Sequence, residues 1–356
     1  MTAHRPYIVT GNVVNVTNDY FVQEVLSVFT TLSQGTKPKE RNFLIAGKGV
    51  CMCFFDDVLE RTMTQAFLHL EVPTLAQTDL TVNLWDRASS GLALTAPWSK
   101  PEYVSNPNAV DARGDSSFIG VYVRGEDTLT LYDRDSQTAY FWTRDAEALP
   151  RWVVAAPLRT LLHWFLADED VHLIHGAAVA HEGKGALLTA PGGSGKSTTA
   201  LTCLLSGMQY LADDYVSVRN GKRAEIYSLF SSVKVSPQYV RSFDTLAAHA
   251  WNTEGEKSIV FLSQLFPKQL IERVSLSVIL VPVLAGGEKT VIMPTSKASA
   301  LFAIAPTTLF QLPLARTKNL ASFRNLVEHT PCYRMELSRD SQEASAVLKE
   351  FLTRIT

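Results

Sequence analysis

Cysteine is scarce: four in 356 residues, at 51, 53, 203 and 332, do not make a disulfide framework. Cys51-Met52-Cys53 also lacks the second ligand pair that a structural zinc site needs, so VCMCFF reads as a strand holding two reduced thiols. An excess of positive charge is missing too. With 33 Lys and Arg against 35 Asp and Glu, the formal charge of −2 offers no broad field for nucleic acid. No apolar run approaches the ~20 residues of a membrane-spanning helix, and the opening MTAHRPYIV has no signal-peptide pattern. The expectation is a cytoplasmic protein with neither membrane nor nucleic acid as partner. Internal repeats and low-complexity tracts are absent, which excludes solenoids and propellers. What is present is 46% hydrophobic and 19% charged residues, an ordinary globular balance in a chain long enough for two domains.

Residues 1 to about 150 read as a separate α+β domain. Phe21, Val25, Val28 and Phe29 give helical spacing over Asn18–Leu32. Phe43–Ala46 and Val50–Phe55 form a hairpin across Gly47-Lys48-Gly49, and Asp56-Asp57 cap a helix running to Leu70. Trp98–Ser116, rich in Pro, Asn, Ser and Asp, reads as an exposed loop. Strands near Phe118–Val123, Thr128–Tyr132 and Thr138–Thr143 follow as a meander, with Tyr132, Tyr140, Phe141 and Trp142 as its core. Val153–Ala167 reads as one amphipathic helix that leads into a second domain, residues 151–356, and packs on its sheet. There helices alternate with strands, the pattern of a layered α/β domain. Tyr215–Val218 and Arg223–Tyr227 make a hairpin, as do Val274–Leu284 and Thr290–Met293 across Gly286-Gly287. Asn252–Ser258 reads as a mobile stretch. Pro237, Ser296, Thr317 and Asp340 begin helices, and Cys332–Leu337 is a strand.

The chemistry gathers between residues 175 and 218. Ala186–Thr189 is an apolar strand, and Gly192, Gly193, Ser194 and Gly195 form a turn whose N–H groups can converge on an anion. Lys196 adds a positive charge on a solvent-facing loop, Ser197 a hydroxyl suited to Mg2+, and Ser197–Leu205 a helix whose N-terminus, Thr198 included, faces phosphate. This is a phosphate-binding loop in which Ala190 replaces the first glycine, a change tolerated if its φ is negative. Met208–Ala212 is a short strand ending in Asp213-Asp214, and only residues 197–212 separate Lys196 from the first carboxylate. Phosphoryl transfer needs a neutralised γ-phosphate, a metal and a proton acceptor. Lys196 and the loop meet the first need; Ser197 and one aspartate can hold Mg2+, leaving the other as base. Lys234, Lys257 and Arg316 are weaker candidates for reaching phosphate or substrate, while His163 and His172 read as structural or solvated.

His175-Gly176, the loop Ala190–Ser197, Gly207 and Ala212-Asp213-Asp214 together resemble the HPr kinase/phosphorylase family and, through it, the nucleotide-binding core of phosphoenolpyruvate carboxykinase. The resemblance covers about 45 residues closely, extends plausibly over the C-terminal half, and does not reach the N-terminal half. It implies a phosphoenolpyruvate carboxykinase-like P-loop kinase domain using ATP and Mg2+. Asp213 is then the base and Asp214 the metal ligand, with His175 orienting Asp213 or approaching the metal-bound phosphate. It further implies a homo-oligomer and a serine-type hydroxyl acceptor on a peptide or small protein, similar to the kinases of lasso-peptide precursors. The N-terminal domain is then a docking surface for that acceptor. The regulatory lysine loop of the HPr enzymes is not recognisable, so phosphorolysis is not carried over. Two other readings stay open: a kinase of free serine or a sugar alcohol, and a nucleotide-dependent switch or ATPase, which the short loop-to-aspartate spacing disfavours.

Overall fold

The computed structural model describes residues 13–16, 19–96, 117–221, 223–251, 257–312 and 316–355. The loop expected over Trp98–Ser116, most of Asn252–Ser258 and the Arg316 side chain lie outside this set. The chain is mixed α/β with mixed sheets. Among the described residues no helix is long and apolar enough to cross a membrane.

Two compact units emerge: 13–65 with 70–165, and 166–355 with 66–69. The main division therefore falls between Phe165 and Leu166 rather than near residue 150, and a short early segment belongs with the late one. Phe67 packs against Phe230 with ring centroids 5.4 Å apart, and the Ser231 N–H donates to the Ala66 carbonyl at 2.8 Å. Those contacts draw 66–69 into the second unit.

The first unit is built on an eight-stranded sheet. The meander Phe118–Val123, Thr128–Asp133 and Thr138–Thr143 forms as expected, and Tyr132, Phe141 and Trp142 are buried. At the sheet's centre lies Leu80–Asp86, which the sequence did not single out; it pairs parallel with both Lys48–Phe54 and Thr138–Thr143. Helix Asp19–Gly35 lays Phe21, Val22 and Val25 against Trp85, Leu129 and Trp142. Asp56 caps helix Asp57–Thr64 by accepting from the Leu59 N–H, and a 3-10 turn, Gln65–Leu70, carries the chain on. The helix expected over Val153–Ala167 is two: Arg151–Ala155 and Arg159–Asp168. Pro157 excludes the preceding residue from helical geometry, so Ala156 sits at φ −138°, ψ 67°, and Leu158 turns through φ 55°.

In the second unit a nine-stranded sheet is covered by helices on both faces. Alternation sorts its side chains. Val179, Leu188, Val278 and Leu280 meet helices Lys196–Leu205 and Ser341–Arg354, while Ala178, Leu187 and Ile279 meet Lys297–Gln311 and Arg316–His329. Burial on both faces explains near-continuous apolar runs such as SVILVPVL. The expected pairing of Val274–Leu284 with Thr290–Met293 does not form. Cys332–Leu337 inserts between the two strands observed there, parallel to Arg273–Leu284 and antiparallel to Val291–Pro294.

Candidate active site

Two bent strands create the site. Val171–His175 continues into Ala177–His181 through Gly176, and Gln209–Ala212 continues into Tyr215–Arg219 through Asp213-Asp214. They pair antiparallel on both sides of the bend, with Tyr215 opposite His175 and Ala212 opposite Ala178. Across the bend itself the Gly176 N–H donates to the Asp214 carbonyl at 3.2 Å. This register, rather than proximity in sequence, sets His175 beside the acidic pair. Asp214 bends through φ 70°, which aspartate tolerates better than most residues. Gly176 is required for space, because a Cβ there would lie 2.7 Å from the Leu188 carbonyl oxygen. Gly176→Ala is expected to cost on the order of 1–3 kcal/mol. The measurement is the denaturant midpoint at unchanged slope; wild-type stability in the variant would show that the bend relaxes freely.

The loop follows strand Lys184–Leu188, which runs parallel to Arg273–Leu284. Thr189 fixes the exit by donating its N–H to the Leu280 carbonyl at 2.9 Å. Gly193 and Gly195 take φ of 81° and 94°, the left-handed values that favour glycine, whereas Ala190 does not. Ala190 in place of the first glycine therefore leaves the turn intact. Pro191, Gly192 and Gly193 are exposed, Ser194, Gly195, Ser197 and Thr198 half-buried, and helix Lys196–Leu205 leads away. The Ser194 Oγ atom is buried without a hydrogen-bond partner.

Lys196 corrects its sequence reading. It is buried, not solvent-facing: its Nζ donates to the Ala190 carbonyl at 2.7 Å and the Pro191 carbonyl at 3.1 Å. A loop that wraps inward to meet an anion also encloses the side chain meant for that anion. Burial pushes its pKa down to about 8 against the opposing pull of Asp213 and Asp214.

Asp213 is buried, and its Oδ2 accepts the Lys234 N–H at 3.3 Å while Oδ1 makes no hydrogen bond. Burial first, and the neighbouring Asp214 second, raise its pKa; the adjacent Ser197 hydroxyl pulls the other way. Asp214 keeps an exposed edge, a quarter of its side chain. Its Oδ2 accepts from Lys234 Nζ at 2.6 Å, and its Oδ1 lies 3.6 Å from His175 Nδ1. Burial drives the His175 pKa down to about 4, with Asp214 opposing, so the ring is neutral at pH 7. The ring neighbours Asp214 rather than Asp213. It packs edge-on to Tyr215, whose hydroxyl donates to Gln311, and the His175 N–H donates to Thr308 Oγ1 at 3.0 Å.

Among the described residues no group of three or more His, Cys, Asp or Glu could hold a metal alone. A divalent ion at this place would rest on Ser197, a carboxylate and oxygens brought by its ligand, the arrangement Mg2+ accepts. The sequence-derived residues of the loop, the acidic pair and His175 thus belong to one constellation. Lys234 joins it, and Thr308 and Gln311, which no motif marks, support it from helix Lys297–Gln311. The exposed Lys257 acts on Asp213 and Lys196 through its charge.

No protein-family model matches this chain, and no curated protein does. Among solved structures it matches the HPr(Ser) kinase/phosphatase from Coxiella burnetii at 10% identity and a TM-score of 0.29, over 51% of this chain and 94% of that one. A likeness so slight leaves the geometry of the site to carry the functional reading.

Proposed function

We propose that this protein is an ATP-dependent kinase that transfers the γ-phosphoryl group to a hydroxyl of a peptide or small protein, with serine as the acceptor. The observation that carries the reading is the buried Asp213 carboxylate, one oxygen unbonded, set against the Ser197 hydroxyl behind a glycine-rich loop. A buried carboxylate with one orphaned oxygen and the Ser197 hydroxyl among its neighbours fits a divalent cation, and the unpartnered Ser194 hydroxyl and the loop N–H groups fit phosphate. When bound, Mg2+ supplies charge neutralisation at the phosphate oxygens.

The contacts support a division of labour that reverses the one implied by family resemblance. Asp213, next to Ser197 and out of reach of solvent, takes the metal. Asp214, with its exposed edge, accepts the proton of the incoming hydroxyl. Lys196 leaves the carbonyls of Ala190 and Pro191 for the phosphate, and neutral His175 holds a fixed polar edge toward Asp214. Incubation of the purified chain with γ-labelled ATP and cell extract tests the assignment. A labelled polypeptide, with label lost on phosphoserine hydrolysis, is expected. Label only in small metabolites would move the acceptor to a free alcohol, and ATP turnover independent of any acceptor would refute a kinase.

A further inference from the structure

Lys234 lies outside the phosphate-binding loop and the acidic pair, yet it touches both carboxylates. Its strand, Ser232–Val235, buries Val233 and Val235 in the core, and the two-residue period turns Lys234 to the other face. There its N–H donates to Asp213 Oδ2 at 3.3 Å and its Nζ to Asp214 Oδ2 at 2.6 Å, with 17% of the side chain exposed. The backbone bond fixes where the side chain starts; the partial exposure leaves its ammonium an open side. Lys234 is a cation in direct contact with Asp214, while Lys196 is held by the loop carbonyls.

A lysine ammonium carries three donors, and the Asp214 bond uses one. A nucleoside triphosphate brought to this loop would set its terminal phosphate near two carboxylates, a repulsion that needs a cation on the acceptor side. Building on the kinase reading, we propose that Lys234 bridges Asp214 and the γ-phosphate, holding the base against the group to be transferred and distinguishing triphosphate from diphosphate. It is then a second phosphate-reading cation, separate in role from Lys196, which serves any nucleotide that fills the loop.

Calorimetric titration of the full chain with ATP and with ADP, at fixed Mg2+, tests this without any acceptor. Lys234→Met is expected to weaken ATP by about ten- to a hundredfold, the range of a lost charge-assisted bond, and ADP by less than about twofold. Lys234→Arg, which keeps the charge, should recover much of the ATP affinity, and Lys196→Met should weaken both nucleotides. Equal loss for ATP and ADP in Lys234→Met, or no loss for either, would reduce Lys234 to a structural ion pair and overturn the proposal. Should Lys234→Met fail to fold, Lys234→Gln and Lys234→Arg give the same ATP-to-ADP comparison. A wild-type chain that binds neither nucleotide fails at the earlier step, the nucleotide site, and takes this proposal with it.

Discussion

Lys196→Met is expected to lose the proposed phosphoryl transfer by on the order of a hundred- to a thousandfold or more, the usual effect of removing a group that stabilises transition-state charge. Its fold survives. The ammonium is buried against two carbonyls, and that burial is what depresses its pKa to about 8. Methionine fills a similar volume with no charge to desolvate, so the melting temperature should equal or exceed that of the wild type near pH 7. The same shift sets a pH dependence. A bound phosphate favours the charged amine, so wild-type ATP affinity should be flat below about pH 8 and fall as the free protein's Lys196 loses its proton above it. Lys196→Met should lack that limb. Titrations from pH 6.5 to about 9.5 decide the matter; a wild-type limb that persists in the variant assigns it to another group.

Asp213→Asn and Asp214→Asn should fail in different ways. Asp214→Asn is expected to bind Mg2+-ATP within about threefold of wild type and to lose transfer by about a hundredfold or more, as removal of a base does. Asp213→Asn should lose the part of ATP affinity that depends on Mg2+, with binding in chelator little changed. The metal-free protein offers a second sign. The Asp213 pKa is raised by burial, so its ionisation destabilises the fold: the penalty is nil below the ordinary carboxylate range and grows as pH rises from there to the raised value. Asp213→Asn should therefore melt higher than wild type at pH 7 without metal. His175 works in the opposite sense: kept neutral by burial, it contributes stability that is complete above about 6.5 and lost as pH falls toward 4. The reverse binding pattern in the two aspartate variants would return the base to Asp213 and the metal to Asp214.

Local chemistry made much of this legible in advance. The glycine turn, the helix behind it and the two aspartates at a strand end are all defined within a few residues, as are the meander and the Asp56 cap. Long-range pairing was not legible. Nothing in Thr290–Met293 says that Cys332–Leu337 will come between it and Arg273–Leu284, because the strand observed there, Val291–Pro294, buries too little to fix its neighbour. Leu80–Asp86 has a local strand signature, Leu80, Val82 and Leu84 alternating with Thr81 and Asn83, but nothing local places it at the sheet's centre between Lys48–Phe54 and Thr138–Thr143. Pro157 breaks the single helix that the apolar spacing of Leu158 to Phe165 suggests. The burial of Lys196 is not legible in the motif, because the Ala190 and Pro191 carbonyls that hold its ammonium meet it only once the loop has folded back on itself. Lys234 was within reach, since Val233 and Val235 flank it in strand rhythm, but only the folded chain shows that its free face meets the carboxylates.

The four residues 66–69 carry a consequence for how this protein can be inherited and recombined. They sit among the strands of the early segment in the chain, yet Phe67 packs at a tilt against Phe230 and His69 Nε2 lies 2.7 Å from the Ser228 hydroxyl. Order along the gene and order in space disagree here. Gene shuffling that exchanged everything before residue 150 would import a foreign tetrapeptide into the interior of the second unit, and a fragment expressed without it would leave the Phe230 ring uncovered. The second unit is thus not a portable cassette. During synthesis, its final packing draws on residues that left the ribosome long before its own first strand.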